Sequence, residues 1–396
     1  MKTTLYKKDS KGKTREWNIE VSDLGAEAKI LITAGLLGGK LVPQETFVSE
    51  GKNIGKANET SYWQQAVSEA QSKINAQIKD GYVDNLDNLI DNTLKGSGAI
   101  ACMKAKTYDP LKKQSSSNNL KGYKLEGKTI GIQRKYDGIR RITKITADGA
   151  FMYSRGGDLS NTLPHIEKQL VERFKAVKDI LGVDELWIDG EAYSHSLPFQ
   201  KINGITRKGA VSLDEIADAM AIEYHVYDVV SDEPYQKRSE KLTHFKHKNI
   251  HIVETEWVTA DEALLRSKLE EYIDNGYEGV MIRVNSLGYE PNKRSASLLK
   301  YKAFEDGEFE CIGMEEGVER GKAAKLICKV DRPCFDSDGN PKETFNPTLV
   351  GKDVELRWAL QNPDHFIGKK VVVNFMGRSE GGIPRHCRVK DVRYDL

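Results

Sequence analysis

The chain mixes short segments of alternating polar and apolar residues with a few longer stretches of helical spacing. Near the amino terminus, WNIEV (17–21) and AKILIT (28–33) alternate and predict strands, followed by a loop at GLLGGK. In SYWQQAVSEAQSKINAQIKDGYV, Trp63, Val67, Ala70, Ile74 and Ile78 recur near the helical repeat and predict one amphipathic helix. Thr60 or Ser61 offers its N-cap and Gly81 its stop. KGSG (95–98) and QSSSNNLKG (114–122) are breakers. Between them, AIACMKAKTYDP is too apolar for a free linker and is expected to pack against the next domain.

A zone rich in short strands comes next: TIGIQR, RRITKIT, AFMYSR, ELWID, IEYHVYDVV, GVMIRV and LLKYKAF. Two helices interrupt it, at 165–181 and 259–276, the second capped by Thr259 or Asp261 and stopped by Gly276. The last zone, FECIGMEEG, AKLICKV, DVELRW, KKVVVNFMG and HCRVKDVRYD, predicts short strands closing into a small β-barrel of OB type. The fold class is therefore α+β. The expected divisions are an α+β accessory domain at 1–98, a basic linker and domain start at 99–128, antiparallel sheets with helices at 129–304, and the barrel at 305–396.

Composition adds exclusions. No apolar run approaches the ~20 residues a membrane helix needs, and MKTTLYKKDSKGK lacks the apolar core of a secretory signal. Five scattered cysteines without a CxxC pair argue against a zinc site or a disulfide framework and fit a reducing cytoplasm. Any metal is expected to be a hard cation on oxygen ligands. A net charge of +1 gives no general support for nucleic-acid binding, although seven lysines face Asp109 and Glu126 between Cys102 and Lys128.

The candidate chemistry begins at QRKYDGIRR (133–141). Lys135 follows a predicted strand and precedes an Asp-Gly turn signal. A surface hairpin with a solvated rim explains the stretch, and so does a nucleophilic lysine among cations that favour its neutral form. Other strands shift the balance. Asp189 and Glu191 follow an apolar run, Glu278 precedes another, and Lys300 and Lys302 share one strand face. Lysines can also be edge-strand gatekeepers and acids turn formers. Together, however, acids for Mg²⁺ or a ribose, lysines for phosphate, a lysine nucleophile and the Tyr227 ring compose a nucleotidyl-transfer site.

On these residues the chain resembles the covalent nucleotidyltransferases, and among them the ATP-dependent DNA ligases, in particular the compact ones of bacteriophages and viruses. KYDGIR (135–140) is similar to the first motif and SRGG (154–157) to the short motif with an essential arginine. DGE (189–191), VYD (226–228), EGVMIR (278–283) and LLKYK (298–302) are similar to the third, adenine-stacking, fourth and fifth motifs, in the family's order. The resemblance implies an adenylation domain followed by an OB domain. It implies a nucleotide site of Gln133, Lys135, Arg140, Glu191, Tyr227, Glu278, Lys300 and Lys302, with ATP as AMP donor and Mg²⁺ (or Mn²⁺) on Glu191, Glu278 and Asp137. Lys135, Asp137, Lys300 and Lys302 would be the catalytic group, and Arg155 and Arg294 would grip the 5′-phosphate of a nick. GIPRHCRVKDVRYD is similar to the sixth motif, with Arg385, Lys390 and Arg393 as candidates for pyrophosphate.

The amino-terminal zone resembles WGR domains, although GLLGGK stands about where their Trp-Gly-Arg should be. This implies an additional DNA contact, with Lys40, Lys52 and Lys56 as candidates. The partner implied is nicked duplex DNA, with the protein a cytoplasmic monomer in replication, repair or recombination. FEDG (304–307) is the expected hinge between adenylation and OB domains. Alternatives are an RNA ligase, an mRNA-capping-type enzyme and a non-catalytic DNA-end binder. NAD as donor is not expected, because neither a nicotinamide-binding helical module nor a four-cysteine zinc module is recognisable.

Overall fold

The computed structural model describes residues 1–110, 119–317, 323–336 and 339–393. Most of the QSSSNN breaker and the end of RVKDVRYD lie outside these residues. In chain order the structure begins with β1 (Lys2–Lys8), β2 (Thr14–Asp23), β3 (Ala28–Leu36), β4 (Val42–Val48) and α1 (Tyr62–Lys79). β5 (Lys104–Thr107), α2 (Asn119–Gly122), β6 (Thr129–Lys135), β7 (Ile139–Thr146), β8 (Ala150–Ser154), β9 (Leu159–Ser160) and α3 (Pro164–Leu181) follow. Then come β10 (Glu185–Tyr193), α4 (Phe199–Arg207), α5 (Ile216–Met220), β11 (Glu223–Val229), α6 (Tyr235–Leu242), β12 (Ile250–Ile252), β13 (Glu256–Thr259), α7 (Glu262–Asp274), β14 (Gly279–Val284) and β15 (Arg294–Tyr301). The last are β16 (Glu305–Gly317), β17 (Ala323–Phe335), β18 (Pro341–Phe345), β19 (Thr348–Leu349), α8 (Asp353–Gln361), β20 (Lys370–Phe375) and β21 (Arg388–Arg393). This is the α+β class that the pattern predicts.

Contacts divide the chain into two units. Residues 1–265 and 281–300 form the first, and 266–280 and 301–396 the second. In the first unit β1–β4 form an antiparallel meander. Leu5, Trp17, Ile19, Val21 and Ile30 of the sheet pack with Ala66, Ala70 and Ile74 of α1. Ser61 caps α1 in a reciprocal box with Gln64. The buried stripe runs through residues four apart and ends at Ile74. Ile78, expected to continue it, is exposed because the helix runs past the sheet core.

Two further sheets carry the chemistry. One runs β12-β11-β10-β7-β8-β9 and the other β13-β6-β14-β15-β5. The first rests on α3, whose Ile166, Leu170, Phe174 and Val177 enter its core. As the apolar AIACM run predicts, Ala99, Ala101, Cys102 and Met103 are buried, and β5 joins β15 in parallel. Asp261 caps α7 through the Leu264 amide, and Gly276 follows it with positive φ, as the sequence indicates. The helices α4, α5 and α6 are too short for periodicity to reveal.

In the second unit β16-β20-β21-β19-β17 closes on itself through β16–β17, with β18 added outside, giving the OB-like barrel. DVELRW, predicted as a strand, is the helix α8. Its Ala359 enters the barrel core while Val354 and Trp358 stay exposed, an arrangement that a two-residue alternation cannot distinguish over six residues. FEDG, the expected hinge, lies at the start of β16. Glu305, Asp306 and Gly307 already pair with Phe375, Asn374 and Val373, and the unit boundary falls between Lys300 and Tyr301.

Ser61→Ala removes the side-chain half of the capping box. It should lower the stability of the Trp17-containing meander by about 1 kcal/mol, read as a shift of the urea midpoint by tryptophan fluorescence.

Candidate active site

Lys135 is the last residue of β6, a strand buried from Ile130 to Gln133 and hydrogen-bonded on both sides within its sheet. β7 lies in the other sheet, so Asp137-Gly138 does not close a hairpin. The chain crosses here from one sheet to the next, and Lys135 stands at the crossing. Gly138 is required by proximity. A Cβ at that position would collide with the Ala192 carbonyl and lie 2.8 Å from Glu191 Cγ.

A cavity of about 200 Å³ is lined by residues of both sheets, among them Lys135, Arg140, Glu191, Tyr227, Arg283 and Lys300. Gln133 also lines it and is buried, whereas Arg155 and Arg294 line it from exposed positions. Sequence reasoning places Asp189, Glu191 and Tyr227 at strand ends. They lie within β10 and β11, and a register shift replaces the strand end. Asp189 pairs with Asp228 and Gly190 with Val226, which leaves Tyr227 as the extra residue of a bulge. Bulges re-aim side chains beside functional sites, and here the Tyr227 ring lines the cavity. Its hydroxyl donates to Glu191 Oε2 at 3.3 Å. Burial, against the pull of Arg140, raises the phenol pKa well above its ordinary range, so the ring is neutral.

Two buried carboxylates fix this arrangement. Asp189 receives the Arg140 fork, Nε at 2.9 Å and Nη2 onto the other oxygen, and accepts the Tyr289 hydroxyl at 2.6 Å. Burial opposes the Arg140 charge, but Asp189 outweighs it and holds the guanidinium pKa well above its usual value. Asp228 receives Arg238 at 2.7 Å and Arg283 at 2.6 Å. Arg283 in turn donates to Gln133 Oε1 at 2.9 Å, and Gln133 donates to Tyr235 at 2.8 Å and Thr255 at 3.0 Å. This buried network links β11, α6, β14 and β6, reaching β6 at Gln133, two residues before Lys135.

The remaining candidates are distributed otherwise. Asp137 is not among the cavity's lining residues. β15 ends at Tyr301, so Lys302 lies beyond the strand rather than on the face of Lys300. In the second unit the Lys302 ammonium pairs with Glu278. Lys390 pairs with Asp306 at 2.5 Å and Arg393 with Glu308 at 3.1 Å, while the Arg385 amide bonds the Gly377 carbonyl. Sequence reasoning missed Lys104, a cavity residue on β5 that donates to Asn292 at 2.8 Å. Burial, then nearby Lys95, holds its pKa below the usual lysine range. The apolar frame of AIACMKAK was the available signal. Among the described residues no three His, Cys, Asp or Glu side chains gather as metal ligands. Magnesium bound largely through substrate phosphates needs only one or two carboxylates, and Glu191 supplies one in the cavity.

A lysine at the crossing of two sheets, sharing one cavity with a neutral aromatic ring, a carboxylate and several cations, is the arrangement that a nucleotidyltransferase requires. The model of the ATP dependent DNA ligase domain matches residues 103–302. A DNA ligase of African swine fever virus is 31% identical over 95% of this chain and 86% of its own length. A DNA ligase of Methanothrix thermoacetophila is 29% identical over 54% of this chain and 39% of its own. A solved Lig E DNA ligase, 17% identical, superposes on 74% of this chain with its whole length, at a TM-score of 0.54. The chain belongs to the ATP-dependent DNA ligases: it uses ATP and its substrate is DNA.

Two outcomes follow from the buried groups. Asp228→Asn leaves Arg238 and Arg283 without counter-charge and should cost about 3–5 kcal/mol in urea denaturation. His225, its ring tilted against Tyr136 at 4.4 Å and stacked on His251 at 5.0 Å, is held down to about 4 by burial and by His251, against Glu223. The unfolded chain takes up this proton first, near the usual histidine value. The neutral form's contribution is therefore complete above about pH 6.5 and lost as pH falls toward 4. Urea midpoints against pH should show that loss, and His225→Phe should flatten it.

Proposed function

We propose that Lys135 Nζ attacks the α-phosphate of ATP, forming a lysine–AMP phosphoramidate and expelling pyrophosphate. The 5′-phosphate at a nick then attacks that phosphorus, frees the lysine and forms a DNA adenylate. The 3′-hydroxyl finally attacks the DNA phosphate and AMP leaves. The observation that carries this reading is the shared cavity of Lys135, Arg140, Glu191, Tyr227 and Lys300. Tyr227 stacks on adenine. Arg140, whose Asp189 fork leaves Nη1 over, and Glu191 meet the ribose. Gln133 buttresses the nucleotide site through Arg283. Lys300 and Lys302 neutralise the α-phosphate, where charge develops in the transition state.

Glu191, Glu278 and Asp137 are the carboxylates assigned to Mg²⁺ (or Mn²⁺), which when bound shields phosphate charge during attack. Arg155 and Arg294, both exposed on the cavity, meet the 5′-phosphate of the nick. Arg385, Lys390 and Arg393 belong to the pyrophosphate step. The division into domains at 1–98, 99–128, 129–304 and 305–396, the monomeric state, the cytoplasmic setting and a DNA contact through Lys40, Lys52 and Lys56 are part of the same reading. No helix among the described residues is long and apolar enough to cross a membrane.

Incubation with labelled ATP and Mg²⁺ should give a covalent AMP adduct that nicked DNA discharges. Lys135→Ala should abolish the adduct, a loss of at least about a thousandfold for removal of the nucleophile. An adduct that persists in this variant, labelling from GTP instead, or discharge only by nicked RNA would refute the reading.

A further inference from the structure

The β8–β9 hairpin turns through Arg155, Gly156, Gly157 and Asp158, and Arg155 lines the nucleotide cavity from this loop. Within the loop the Ser154 hydroxyl accepts from the Gly156 amide at 3.2 Å and the Asp158 amide at 3.1 Å. Those bonds shape the turn. Its tilt is left to contacts from outside, because β9 stands at the end of its sheet. Such contacts come from the amino-terminal part of the chain. The Ser97 hydroxyl donates to the Gly157 carbonyl at 2.6 Å, and Lys79 at the end of α1 reaches Asp158 at 2.5 Å. Lys79 holds the Asp158 carboxyl below its ordinary range. Gly157 is buried, with φ at 93°, and a Cβ there would lie 2.8 Å from Lys95 Cβ.

The gripping turn is itself braced. The Lys95 amide bonds the Ala99 carbonyl at 2.8 Å and the Gly98 amide bonds the Lys95 carbonyl at 2.9 Å, so KGSG closes tightly with Ser97 near its tip. The Gly96 amide bonds the Lys79 carbonyl at 3.1 Å, which seats the turn on the end of α1. Asp80 receives Lys95 at 2.5 Å and Lys7 of β1 at 2.8 Å. A chain of polar contacts thus runs from the amino-terminal sheet to the loop that carries Arg155. Lys79 and Ser97 do not line the nucleotide cavity, and both are exposed, so their contacts add little to folding.

We propose that the amino-terminal sheet and α1 act as a positioning element for the DNA step, with Lys79 and Ser97 setting the angle at which Arg155 meets the 5′-phosphate of the nick. The inference rests on the ligase reading above, in which Arg155 has that role. It is distinct from a DNA contact through Lys40, Lys52 and Lys56, because it acts on the loop and not on the duplex. An arginine on a short exposed loop must be ordered before it can hold a phosphate. A shift of about 1 Å in a positioning group can cost as much as about a hundredfold in rate.

The test uses the full chain, converted to its AMP adduct and titrated, without divalent cation, with nicked duplex bearing either a 5′-phosphate or a 5′-hydroxyl. Adduct formation by the parent is scored before DNA is added, and its failure defeats the ligase reading and the proposal with it. The parent should prefer the 5′-phosphate and Arg155→Ala should lose that preference. If Arg155→Ala keeps it, the role of Arg155 falls, and the proposal falls for that separate reason. Lys79→Met combined with Ser97→Ala should form the adduct at the parent's rate, yet lower the 5′-phosphate preference by about three- to tenfold. Added to Arg155→Ala, the two changes should cost nothing more. Ser97→Thr, which keeps the hydroxyl, should keep the preference. Equal weakening of both duplexes would make Lys79 a direct DNA contact and overturn the proposal. An unchanged preference in the double variant, a further loss on top of Arg155→Ala, or slower adduct formation with a lower urea midpoint would overturn it too.

Discussion

The ionic contact on which the site depends is the buried carboxylate of Asp228 between Arg238 and Arg283. Three charges out of water are tolerable only with matched geometry and further hydrogen bonds. The extra bonds run to Gln133, the Glu233 and Leu287 carbonyls and the Tyr227 carbonyl. The network therefore joins the strand carrying Lys135 to the strand carrying Tyr227. Its Arg283 lies over the Tyr227 ring, 5.6 Å from the centroid, and its hydrogen bonds tie the backbones of the two strands together. Asp189 does the same for Arg140 from the other end of the bulge.

The bulge in β11 connects topology to chemistry. A strand in strict alternation would carry Tyr227 in step with Gly190. The register shift removes it from the ladder and directs the ring into the cavity. Gly190 tolerates the crowding this creates, since a Cβ there would meet the Tyr224 ring at 2.6 Å.

Much of this was legible in the sequence because it is local. The Ser61 cap, the α3 stripe and most strands of the central sheets follow from alternation and turn chemistry. The cavity residues Lys135, Arg140, Glu191, Tyr227 and Lys300 are recognisable as a set, since few domains place such charges on apolar strands by chance. What was not legible is relational. Nothing in KYDG says that β6 and β7 belong to different sheets, nothing in VYD announces a bulge, and Lys104 reads as part of a basic linker until β5 pairs with β15. DVELRW was misread for the opposite reason, a local pattern too short to separate two periods.

The crossing at Tyr136–Gly138 acts as a spacer of fixed length between two sheets that the Asp228 network holds together. An extra residue in a hairpin loop is absorbed by the loop, because the paired strands keep their register. Here one added residue, up to about 3.5 Å of chain, would have no ladder across the crossing to absorb it. Both sheets would keep their cores, and the added length would fall on the stretch beside Lys135. The loop beside Lys135 is thus insertion-sensitive for reasons of reach rather than stability. A chain altered there would keep its fold and shift the Lys135 amine relative to the rest of the cavity wall.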